Sequence, residues 1–145
     1  MAGADVSEPL RQAVRARAGG RCEYCLTSEV LSGIRCQIDH ITPRARQGAT
    51  TVENLCLACV ACNGHKHAQT HAIDPESGEA VPLFHPLQQR WYDHFAWSVE
   101  GTAINGLTPI GRATVATLKM NDPLIVGARA LWVDIGAHPP PRDAP

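Results

Sequence analysis

Two close thiol pairs, Cys22-x-x-Cys25 and Cys59-x-x-Cys62, constrain this chain more than any other feature of its sequence. Each pair can offer both sulfurs to one ion from a single tight turn. Four thiolates suit a closed tetrahedral zinc site with no open position for chemistry. The 33 residues between the pairs exceed the usual zinc-ribbon spacing, so a substantial insert lies inside the metal clip. That insert is where function is expected. A redox use of Cys-x-x-Cys is the competing reading, weakened by the motif occurring twice. Cys36 and Cys56 have no partner spacing and are expected as small buried strand residues. Zinc here would supply folding energy rather than catalysis, since metal binding is coupled to folding in small domains.

The expected fold class is α+β. Ser7 before Glu8-Pro9-Leu10, with apolar or small residues at Leu10, Ala13, Val14 and Ala18 and then Gly19-Gly20, predicts a capped amphipathic helix with a glycine stop. An apolar run over Ile34 to Ile41, a polar loop from Pro43 to Thr50, a short strand over Asn54 to Leu57 and a helix over Ala61 to Thr70 give the order strand, loop, strand, helix. Asp74 to Pro82 is rich in turn formers and acids and is expected as a connection. Beyond it, His94 to Val99 and Thr102 to Leu107 predict a hairpin around Glu100-Gly101. Two helices follow, over Pro109 to Met120 and Asp122 to Val133, with Val115, Leu118, Leu124, Ile125, Ala128 and Leu131 expected to be buried. We therefore divide the chain into a core over 1–75 and a C-terminal extension over 76–145 packed on it.

Composition decides less. No stretch approaches the roughly 20 apolar residues that cross a bilayer, and the N-terminal residues lack the order of a signal peptide, so a cytoplasmic protein without a membrane partner is expected. The net charge of −1 does not favour a nucleic acid. Its distribution does: residues 10–72 hold eight Arg or Lys against four acids, and a phosphate backbone would prefer that half.

Inside the insert, Ile38-Asp39-His40-Ile41-Thr42-Pro43 is followed by Glu53-Asn54-Leu55 and Cys62-Asn63-Gly64-His65-Lys66. Asp39 beside His40 sets a hard metal ligand next to a proton acceptor, and Asn63 can add a second oxygen. Two protein oxygens would leave most of the coordination shell to water and substrate phosphate, as Mg²⁺ prefers. His40 could then take a proton from water. Arg44 and Arg46, in the loop after Asp39-His40, could contact phosphates flanking a cut, contacts that position a backbone without reading sequence.

In order and spacing these elements resemble the HNH endonucleases with a ββα-metal fold and an added four-cysteine zinc site, over about residues 20–70. The resemblance implies that His40 is the general base, that Asp39 and Asn63 hold the catalytic divalent metal, and that Asn54 braces the loop presenting His40. It sets Lys66 at a basic position that meets phosphate. It also implies structural Zn²⁺ on Cys22, Cys25, Cys59 and Cys62, and catalytic Mg²⁺ or Mn²⁺. DNA would be the substrate, cut to leave a 5′-phosphate and a 3′-hydroxyl. Residues 84–133 resemble the C-terminal extension of some bacterial HNH proteins. His67, four residues after Asn63, matches a helical position that carries a metal ligand in colicin-type relatives. It is either a third ligand, widening metal choice, or a partly exposed helix histidine.

The expected activity is therefore metal-dependent phosphodiester hydrolysis, by a monomer or a homodimer with room for a recognition partner. The alternative from another class is a zinc-stapled nucleic-acid-binding module without cleavage.

Overall fold

The computed structural model describes residues 6–142. It is a mixed α+β chain with three two-stranded antiparallel sheets among the described residues. Two compact units emerge, one formed by the residues through Thr70 together with His85–Gln88, the other by His71–Phe84 and the chain from Gln89 onward.

The first unit opens with α1 (Glu8–Ala18). Ser7 Oγ accepts the Leu10 N–H, Pro9 occupies the first turn, and Gly19 ends the helix in the left-handed region. After the first thiol pair comes one helical turn, α2 (Glu29–Ser32), capped by Ser28. Strand β1 (Gln37–His40) pairs antiparallel with β2 (Leu55–Ala58), setting Asp39 opposite Cys56 and His40 opposite Leu55. β2 is buried along its whole length, so it reads as a continuous apolar run. Helix α3 (Val60–Lys66) follows at once.

Arginines of the basic half do structural work in this unit. Arg15 donates to Glu29 at 2.6 Å and to the Cys36 carbonyl at 2.9 Å, while Glu29 also accepts the Cys36 N–H. Arg17 reaches Glu23 and the carbonyls of Val52 and Leu55, and Glu23 accepts the Leu57 N–H. Arg21 donates to the Leu26 carbonyl. These side chains tie α1 and the first thiol turn to the strands, so the charge count of this half overstates what is offered to phosphate.

In the second unit, β3 (His71–Ile73) and β4 (Ala80–Pro82) form a hairpin where a plain connection was expected. The Asp-Pro-Glu-Ser-Gly-Glu run is a closed turn. Asp74 accepts the N–H groups of Glu76 and Ser77 and the Ser77 hydroxyl, and Gly78 takes φ 75°. Asp74 is fully buried and takes the Arg112 guanidinium through two bonds of 2.9 Å. Turn chemistry without flanking apolar alternation concealed this pairing from the sequence.

A second hairpin, β5 (Phe95–Trp97) with β6 (Ile104–Gly106), precedes α5 (Pro109–Thr117) and α6 (Pro123–Asp134), with α4 (Trp91–His94) leading into it. Gly111 and Gly106 let α5 lie against β6: a Cβ on Gly111 would stand 2.0 Å from the His94 carbonyl oxygen, and one on Gly106 2.4 Å from the Arg112 nitrogen. Phe84 meets Phe95 edge to face, and half-buried Trp91 lies tilted against Phe95. On α6 the expected burial fails. Leu124 and Leu131 are exposed, and Arg129 is the buried residue, donating to the carbonyls of Thr102 and Met120. A helix that is apolar on every side carries no stripe to show which face turns inward. No helix among the described residues is long and apolar enough to cross a membrane.

Candidate functional site

Four sulfurs make the first centre. Cys22, Cys25, Cys59 and Cys62 offer ligand atoms all within 4.8 Å of one another, enough to hold one metal ion. Each pair forms the same local turn: the Cys25 N–H donates to Cys22 Sγ and the Cys62 N–H to Cys59 Sγ, both at 3.4 Å. Cys59 is also the N-cap of α3, so the second turn runs directly into the helix. Burial pushes the Cys22 thiol up, whereas contact with the Cys22 sulfur holds the Cys25 thiol well below its ordinary range. A bound divalent ion would let all four thiols ionise. Cys36 and Cys56 are buried and lie outside this group. Desolvation raises the Cys36 thiol to about 12.

The second cluster sits where α3 crosses the end of β1. Asp39 is 7% exposed and Lys66 2%. Lys66 Nζ lies 3.1 Å from Asp39 Oδ2 and donates to the His40 carbonyl at 3.2 Å. The Tyr24 hydroxyl donates to the same Oδ2 at 3.2 Å, and Cys56 Sγ approaches it at 3.9 Å. Burial pushes the Asp39 carboxyl up, and the Lys66 ammonium pulls against it. A buried ammonium spent on a carboxylate does not face a phosphate path. In this structure Lys66 is an internal countercharge, not a surface contact.

Asn63, one turn before Lys66, donates its Nδ2 to Gln37 Oε1 at 2.7 Å. Gln37 and Asp39 are two apart on β1 and so share a face, which sets Asn63 and Asp39 along one seam between strand and helix. His40 starts from the opposite face. It is 5% exposed, with Nε2 2.9 Å from Thr50 Oγ1.

Asn54 ties the loop between the strands. Its Oδ1 accepts the Thr42 N–H at 2.8 Å, and its Nδ2 donates to the carbonyls of Thr42 and Ala49 at 3.0 and 2.8 Å. The Ile41 N–H donates to the Asn54 carbonyl, so the residues just after His40 are pinned through both backbone and side chain. Gly48 is needed for this closure: a Cβ there would stand 1.7 Å from the Thr42 oxygen. Within the loop, Arg44 and Arg46 form a 3-10 turn and are exposed.

His67 is the C-cap of α3, its backbone N–H donating to the Asn63 carbonyl at 3.2 Å. α3 ends at Lys66, and His67 takes φ 51° and ψ −132°; it is exposed. The expected helix to Thr70 is thus cut short. Three partners were invisible in the sequence: Tyr24, Gln37 and Thr50. Each is an ordinary residue in its own segment and gains its place through a contact at 10 or more positions' remove.

Comparison with known proteins agrees with this region. The family model described as HNH endonuclease matches residues 22–69, 48 of the 145 residues, from the first ligand cysteine to just past α3. No curated protein and no solved structure matches the chain at a significant level.

Proposed function

We propose that the chain is a metal-dependent HNH endonuclease that hydrolyses phosphodiester bonds in DNA, built on a ββα-metal core stapled by zinc. The observation that supports this reading is that Asn63 is tied to Gln37, on the strand face that carries Asp39, while Asn54 braces the backbone just after His40, all inside the segment that matches the family. A binding module has no use for that set.

The donors fit a hard divalent ion. Asn63 gives its Nδ2 to Gln37, which leaves the carboxamide oxygen as an acceptor, and all contacts of the Asp39 carboxylate among the described residues fall on Oδ2. A carboxylate oxygen and an amide oxygen, with water and phosphate completing the shell, match Mg²⁺ or Mn²⁺. When bound there, such an ion would neutralise charge gathering on the phosphate and the leaving oxygen. His67, exposed and at the C-cap of α3, is left out of this ligand set.

His40 takes the proton of the attacking water while Thr50 fixes its ring and Asn54 fixes the backbone that carries it. The water oxygen bonds to phosphorus, the bond to O3′ breaks, and the products are a 5′-phosphate and a 3′-hydroxyl. Arg44 and Arg46 steady the flanking phosphates. The four sulfurs hold Zn²⁺ and take no part in hydrolysis.

One observation favours the second reading, a nucleic-acid-binding module: His40 is nearly buried, and Asp39 already carries Lys66. Nicking of supercoiled plasmid with Mg²⁺ or Mn²⁺, alongside DNA binding, separates the two. The nuclease reading expects nicking by the wild type, a loss of at least a hundredfold in His40→Ala, on the order expected for a general base, and unchanged binding by that variant. Equal cutting by both proteins contradicts the role of His40. Binding without cutting by either selects the module.

A further inference from the structure

The Asp39 carboxylate is gripped from two directions, and each grip begins at a metal-binding turn. Tyr24 stands inside the first thiol turn, between Cys22 and Cys25, and is fully buried. Lys66 is the last residue of α3, whose N-cap is Cys59 and whose first turn holds Cys62. Both side chains end on one oxygen, Oδ2, at 3.2 and 3.1 Å. Lysine is almost never buried this deeply without a partner, and this one also clamps the His40 carbonyl. Buried carboxylate oxygens are normally hydrogen-bonded. Here, among the described residues, Oδ1 has no donor.

We propose that Tyr24 and Lys66 are positioning residues that hold Asp39 through Oδ2, so that Oδ1 is the oxygen presented to the divalent cation. The proposal rests on the reading of Asp39 as a metal ligand. It also links the two centres. The sulfur site fixes the turn and the helix from which the two grips reach, so the structural metal sets the aim of the catalytic ligand without touching it. Partners that orient a metal ligand typically contribute about 10–100-fold to metal affinity.

The test is calorimetric titration of Mn²⁺ into the zinc-replete full chain, with plasmid nicking measured against Mn²⁺ concentration and urea unfolding of every variant. Tyr24→Phe and Lys66→Met should each weaken Mn²⁺ binding about tenfold or more. The Mn²⁺ needed for half-maximal nicking should rise by the same factor. Lower stability with unchanged Mn²⁺ affinity in both variants would make the contacts purely structural and overturn the proposal. If Lys66→Met does not fold, Tyr24→Phe decides alone. Asp39→Asn separates this failure from that of the underlying reading. If it binds Mn²⁺ as the wild type does, Asp39 is no ligand and both ideas fall. If it loses Mn²⁺ while Tyr24→Phe keeps it, only the positioning role is lost.

Discussion

Lys66 Nζ lies 3.1 Å from Asp39 Oδ2, and both side chains are almost wholly removed from water. Breaking such a pair leaves a buried charge uncompensated, which costs about 3–5 kcal/mol. Lys66→Met should therefore lower the urea midpoint sharply. The double variant Asp39→Asn with Lys66→Met, which removes both charges, should cost clearly less than the sum of the single changes. Additive losses in a double-mutant cycle would show that the two groups do not interact.

The four-sulfur cluster makes a prediction about the fold rather than the reaction. Cys22→Ser or Cys59→Ser should abolish compact, soluble protein, and a strong chelator should unfold the first unit of the wild type. Elemental analysis should find one zinc per chain. A Cys22→Ser protein that stays folded and free of metal would count against the site.

Two glycines of the first unit should respond in opposite ways. At Gly48 an added Cβ meets the Thr42 oxygen at 1.7 Å, so Gly48→Ala must open the loop that Asn54 closes. A loss of about 1–3 kcal/mol is expected, by analogy with overpacked sites, together with reduced nicking. Gly64 lies in α3 with no atom within 4 Å of an added Cβ. Gly64→Ala should raise stability by about 1 kcal/mol through helix propensity alone. Thermal unfolding of the two variants checks both signs.

The second unit should be sensitive to acid through Asp74. The Arg112 guanidinium beside it holds its carboxyl well below the usual carboxylate range. The unfolded chain therefore binds the proton more readily, and stability rises with pH across that window. The contribution is complete above about pH 4, the ordinary aspartate range, and is lost as pH falls toward the lower folded value. Asp74→Asn should flatten this limb of the stability curve below pH 4 and leave the neutral region parallel to wild type.

The parts of this molecule legible in its sequence are those set by short-range spacing. Two Cys-x-x-Cys turns indicated a four-sulfur cluster, and Ser7 with Gly19 bounded α1. The strand, loop, strand, helix order could be read because the apolar run of β2 and the Ile38 and Ile41 positions around β1 are separated by turn residues. Features decided by distant contacts were hidden. Nothing local marks Tyr24 or Gln37 as a neighbour of Asp39 or Asn63. Lys66, on a helix end rich in polar residues, looked like a surface cation until burial and Asp39 claimed it. α3 stops before His67 without a proline, the Asp74 turn closed a hairpin, and α6 turned Arg129 inward.

If the seam between β1 and α3 holds a catalytic cation apart from the structural one, anomalous diffraction from crystals of the zinc-replete protein grown with Mn²⁺ should resolve the two. A zinc peak is expected at Cys22, Cys25, Cys59 and Cys62, and a separate manganese peak at Asp39 Oδ1 and Asn63 Oδ1, with His67 outside the shell. Manganese bound elsewhere, or no manganese within reach of Asp39 and Asn63, would contradict a catalytic cation in that seam.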